Sequence, residues 1–160
     1  MAARKPLVVV SGEIQQLQTG DYLNVPIAGV TEIPQTNDES GSIVIGTPVY
    51  NDAADGVKKA KADAAGTSKV LGLVSDTSIS NGVSGNIAIS GILSATTTQW
   101  DAVFGTSGGL TFGTLYFLSA GTSGLGTSTA PSTVGQYVVE LGIALSTTEL
   151  KIGIRQRILL

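Results

Sequence analysis

The chain has 160 residues, enough for one ordinary domain; only 13% are charged, against roughly 25% in an average soluble domain, while 42% are hydrophobic and 21 are glycine. It contains neither cysteine nor histidine, which removes disulfides, thiolate chemistry, imidazole general bases, Ser-His-Asp triads and Cys/His zinc sites together. The net charge of −3 argues against nucleic acid as a primary partner, because phosphate binding needs a clustered basic face, and the longest apolar runs, Leu7 to Val10 and Leu115 to Leu118, fall far short of the roughly 20 residues that span a bilayer.

The start Met-Ala-Ala-Arg-Lys carries two basic residues with no apolar run of signal-peptide length behind them, so no secretory signal is expected. Residues 1 to 42 read as a β-capable arm followed by a polar linker. Leu7 to Val10, Glu13 to Leu17 and Tyr22 to Ile27 are short β-capable stretches broken by Ser11-Gly12 and Thr19-Gly20-Asp21, the pattern of a hairpin or an extended arm. Thr31 to Ser42, with Pro34, Asn37, Asp38, Glu39 and Gly41, reads as the linker.

From residue 43 onward the chain states one strand unit twice, at about 43–93 and 110–160. Gly46-Thr47-Pro48-Val49-Tyr50 and Leu71-Gly72-Leu73-Val74-Ser75 return as Gly113-Thr114-Leu115-Tyr116-Phe117 and Leu141-Gly142-Ile143-Ala144-Leu145. Each copy closes on an alternating strand, Asn86 to Gly91 in the first and Glu149 to Ile154 in the second. Asp52 to Gly56 supplies a turn, Val57 to Lys61 starts an extended piece, and Lys58 to Ala65 has no helical periodicity and reads as loop. Val70 to Val74 reads as a buried strand whose Gly72 admits a neighbouring backbone or ring.

Between the copies, Thr96 as cap, Trp100 facing Val103 and Phe104, and Gly105 as terminator mark one short helix near 97–104. Two roles are open to Trp100: plugging the end of a small barrel, or anchoring an interface. Residues 119 to 134 are almost pure Gly, Thr, Ser and Ala, and read as a surface loop or a segment held by neighbouring subunits. The whole is expected to be all-β, a small barrel or sandwich.

Sites of chemistry are hard to assemble from what remains. Asn51, Asp52 and Asp55 lack the twelfth-position carboxylate of a calcium loop, and Gly105 to Gly109 and Gly121 to Gly124 lack the lysine and helix of a phosphate loop. Lys58, Lys59 and Lys61 lie among Asp52, Asp55 and Asp63 and are locally neutralised, and the acids show no paired placement beside aromatics as in a glycosidase cleft. Trp100 next to Asp101 would suit a stacked sugar without catalysis. No catalytic residue, cofactor or metal is expected.

Gln99-Trp100-Asp101-Ala102-Val103, Gly108 to Thr111, Gly113 to Ser119, Pro131, Gly135 to Val139 and Leu141 to Ser146 resemble a module of tailed-bacteriophage virion proteins, found in head-decoration, head-fibre and tail-fibre proteins. The opening Lys5 to Leu17 is similar to the leader of such proteins, and Gly46 to Tyr50 to small capsid-decoration barrels. The resemblance implies a non-enzymatic structural protein, made in the bacterial cytoplasm and placed on the outer capsid surface. Its expected partners are the major capsid protein and itself, as a trimer or a dimer. Since the chain stops at Leu160 without fibre repeats, a decoration protein is expected over a fibre. Leu7, Val8, Val9, Val10, Ile14 and Leu17 are then the candidate capsid-binding arm. Trp100, Phe104 and the apolar Ile158, Leu159 and Leu160 are candidate oligomer contacts. The alternative is a head- or tail-fibre adhesion module that anchors another fibre or meets a host-surface glycan through Trp100, Tyr116 and Phe117.

Overall fold

The computed structural model describes residues 29–160 together with two N-terminal strands, β1 (Leu7–Val10) and β2 (Glu13–Gln16). These two pair antiparallel from Leu7↔Gln16 to Val10↔Glu13. Leu17 and the expected stretch Tyr22 to Ile27 lie outside the described residues.

The supposed linker is, through Asn37, a strand of the main sheet. β3 (Val30–Asn37) pairs antiparallel along seven residues of β9 (described below as Ser84–Ser94), and its last two residues pair parallel with the later segment Gly56–Lys59. Polar composition misled here because most of β3 faces outward, with Asn37 fully buried at its end. Asn37 is satisfied there: its Nδ2 donates to the carbonyls of Gly41 and Ile79, and its Oδ1 accepts from the Glu39 N–H. Because β3 has a second partner strand only at Thr36 and Asn37, Pro34 sits on what is locally an edge, where proline is tolerated.

The first copy supplies β4 (Ile43–Val44), β5 (Pro48–Ala53), β6 (Gly56–Lys59), β7 (Val70–Val74), β8 (Ser78–Ile79) and β9 (Ser84–Ser94). The pairings run β9-β3-β6-β5-β7 and return from β7 to β9, closing a five-stranded barrel. Each barrel strand sends at least one side chain into a single cluster: Val49, Val57, Val74, Ile87 and Ile33 meet Ile43 and Ile79 from the β4–β8 pair. After β9 comes α1 (Thr97–Phe104), with Thr96 in a capping box with Gln99 and Gly105 left-handed at φ 63°.

The second copy supplies β10 (Leu115–Leu118), β11 (Gly126–Thr127), β12 (Tyr137–Val138), β13 (Glu140–Ala144), β14 (Glu149–Ile152) and β15 (Ile158–Leu159). β11-β10-β13-β14 extends the sheet from the far half of β9, while β12 and β15 form a separate ribbon.

The duplication read in the sequence is reproduced residue by residue in the ladders. Pro48↔Leu73, Val49↔Gly72 and Tyr50↔Val70 in the first unit match Leu115↔Ile143, Tyr116↔Gly142 and Phe117↔Glu140 in the second, including the register shift after the second pair. Leu73↔Ala88 and Val74↔Ile87 match Ile143↔Lys151 and Ala144↔Leu150. Even the turn bonds recur: the Gly46 N–H donates to the Val74 carbonyl and Val74 N–H to Thr47, as Gly113 N–H donates to Ala144 and Ala144 N–H to Thr114.

Both units turn on a glycine that lies against the next strand. A β-carbon on Gly72 would collide with the Ala88 carbonyl, and one on Gly142 with the Lys151 carbonyl, which is the corresponding residue. Gly72→Ala and Gly142→Ala should each destabilise the protein by about 1–3 kcal/mol, the range for overpacking a filled site. Urea unfolding of the two variants measures this, and a neutral result for either would mean that the shared constraint is not real.

Candidate interaction surfaces

Of the aromatic residues singled out in the sequence, Trp100, Phe104 and Tyr116 are core residues of the protomer, while Phe117 is half-buried. Trp100 is fully buried, its ring under Gly46 and its indole N–H donating to the Thr148 carbonyl at 3.0 Å. Its centroid lies 5.4 Å from that of Phe104, which meets Tyr116 edge-on at 4.7 Å. Phe104 in turn needs Gly126, where any β-carbon would run into its ring. Trp100 and Phe104 are therefore removed from the oligomer contacts. Trp100 and Tyr116 are likewise unavailable to a glycan. Nor does Trp100 plug the barrel, since it belongs to the cluster between the barrel and the second sheet rather than to the barrel's own.

Asp101, the expected sugar acid, is committed to its own loop. Its carboxylate accepts from the Thr106 hydroxyl at 2.7 Å and from the Gly109 and Gly108 N–H groups at 2.8 and 3.0 Å. The Thr106 hydroxyl first, then these backbone donors, holds its carboxyl below the usual carboxylate range. Gly108 and Gly109 of the turn 105–109 thus donate their N–H groups to an internal anion. Residues 119 to 134 are also held by their own chain, through Ala62 N–H to the Ser119 carbonyl, Gly124 N–H to the Ala60 carbonyl, and β11 on β10.

Two lysines of the group are paired, Lys58 2.5 Å from Asp52 and Lys61 2.7 Å from Asp63. Another basic group, not singled out as a site in the sequence, comes together only in the fold. Lys69, Arg155 and Arg157 line a cavity of about 310 Å³ with Val70, Val139 and Ile154. Arg157 stacks over Tyr137 with 5.3 Å to the ring centroid and donates to the Ala65 carbonyl and the Ser68 hydroxyl, and Arg155 pairs with Glu140 at 3.3 Å. Arg155 and Arg157 flank Gln156 in the sequence between Ile154 and Ile158; Lys69, just before β7, joins them only in the fold, which no local pattern announces.

Beside this cavity the C-terminal ribbon presents apolar surface. Ile158 and Leu159 are 63% and 59% exposed, and Val134, brought alongside by the Gly135 N–H to Leu160 carbonyl bond, is 88% exposed. Among the described residues no three acids gather as a metal site would require, and no helix is long and apolar enough to cross a membrane. Comparison with protein-family models found no match, and comparison with curated proteins found none either.

Two measurements check these placements. Trp100→Ala should cost about 3–5 kcal/mol of protomer stability by urea unfolding, as loss of a filled aromatic core position does. Asp101→Asn should lower the thermal midpoint at neutral pH. The folded pKa of Asp101 is depressed, so its contribution is present above the ordinary value of about 4 and lost as pH falls through the folded value. The midpoints of wild type and variant should converge in acid, and a pH-independent gap would show that the ionised carboxylate is not what holds the loop.

Proposed function

We propose that the protein is a non-enzymatic structural protein of a tailed-phage virion, a decoration protein seated on the outer capsid through its N-terminal hairpin. The observation that carries this reading is the division of the chain. Among the described residues, the barrel and the second sheet are built from residues 30–160, and β1 and β2 pair with each other in a separate two-stranded sheet. A hairpin paired apart from the main sheet suits an attachment role. The phage-like motifs from Gln99 to Ser146 fall on α1, β10 and β13, the parts that complete the body, which fits a scaffold rather than a reaction centre.

The exposed ribbon at Ile158 and Leu159 supports the same reading. Apolar side chains at this exposure suit contact with neighbouring subunits on a shell. The fibre alternative loses two of its three aromatic contacts, Trp100 and Tyr116, to the core.

The test uses the full chain with Val8→Asp and Ile14→Asp together. Co-sedimentation with capsid shells stripped of this protein should fall at least tenfold while the near-ultraviolet dichroism of Trp100 is unchanged, a loss of about 1.4 kcal/mol of binding or more. Undiminished binding by a folded variant would sink the arm; binding of wild type to host cells but not to shells would favour the fibre.

A further inference from the structure

The two units are equal in register but opposite in what covers them. In the first unit the row Leu73–Ala88 is fully buried in the cluster shared with the inward residues of the second unit, Leu141 and Leu150 among them. The equivalent row in the second unit continues across four strands as Leu115, Ile143, Lys151 and Ile92, and it faces outward. Leu115 and Ile92 are 40% and 37% exposed. The same inequality holds at the turns: Ile45 is 8% exposed, whereas Phe112, in the corresponding position, is 78% exposed. Gly46 is roofed by Trp100, while a β-carbon on Gly113 would meet nothing.

We infer that this outer face of β10, β13 and β14 binds a second copy of the chain, face to face about a two-fold axis. Three observations select that occupant. The covered counterpart of the face is covered by this chain's own second unit, so the surface type is one that packs on the same protein. The face is self-complementary in charge: Glu149 and Lys151 stand two residues apart on the outward side of β14, and among the described residues neither is in an ion pair within the protomer. A two-fold axis between them sets each Lys151 against the partner's Glu149, as an isologous interface requires. Finally, a groove of about 250 Å³ lined by Gly142, Ile143, Lys151 and Gly153 runs over β13 and the end of β14.

The proposal does not depend on a capsid, and its test needs none. Light scattering across a concentration series should give a mass rising toward twice 16.2 kDa for the wild type. Ile143→Glu and Lys151→Glu should each return the mass to that of one chain. Ile143→Glu places a charge on a half-buried residue and could cost folding, so Lys151→Glu, at an exposed position, is the decisive single variant. Glu149→Lys combined with Lys151→Glu should restore the heavier species. A wild type that stays at one chain's mass, a Lys151→Glu variant as heavy as wild type, or a double variant that fails to recover would each overturn the inference.

Discussion

One strand carries both halves of the molecule. β9 has β3 along one edge, and along the other it meets β7 at Ile87 and Ala88 and then β14 from Gly91 to Ser94. The first of these contacts closes the barrel; the second hangs the duplicated sheet from it. The change of partner happens at Gly91, whose φ of 100° and close approach to the Gly29 carbonyl leave no place for a side chain. If β9 ended there, the barrel would keep its own cluster, but Leu93 and the β14 residues would lose their register and the larger cluster its second wall.

That larger cluster explains why the chain can be poor in charge without being poor in order. It joins the outside of the barrel at Leu73 and Ala88 to α1 and to the inward residues Tyr116, Leu118, Leu141 and Leu150. A barrel of five short strands encloses few side chains. Most burial is instead between the barrel and the added sheet, where the three rings of Trp100, Phe104 and Tyr116 pack in sequence. Apolar burial of this kind stabilises at about 25 cal/mol per Å², and large rings supply the most area per residue. The single tryptophan is thus spent where two structural units must be joined, which is why it is unavailable for recognition.

What the sequence made legible was what repeats or punctuates. The duplicated motifs predicted paired units, and Thr96 and Gly105 predicted the ends of α1. Gly72 predicted a close backbone approach. What stayed hidden depended on distant pairing. Thr31 to Asn37 looks like a linker because its polar residues, Asn37 excepted, lie outside the core on a strand whose partners are some fifty residues away in β9. Gly126 sits in a stretch of low complexity, yet it is fixed by the ring of Phe104. The cationic cavity unites Lys69 with two arginines near the C-terminus, and no window of sequence contains all three. Trp100 could be recognised as important without revealing whether it faces in or out, because an aromatic on a short helix serves a core and an interface equally well.

Duplication inside one chain does not by itself produce symmetry of environment. When one unit packs its inner face on the outer face of another, the first is covered and the last is left with a bare outer face. Repeat proteins resolve this with terminal units that turn polar on the outside. Here the resolution is incomplete. Lys151 replaces the buried Ala88, as a capping unit would, but Ile143 stands where Leu73 stood and Leu115 where Pro48 did, and Phe112 is larger than the Ile45 it matches. Single exposed apolar residues are ordinary. Two apolar residues side by side on one ladder, Leu115 and Ile143, at positions that are buried in the sister unit, are the mark of a face whose sequence is still that of an interior.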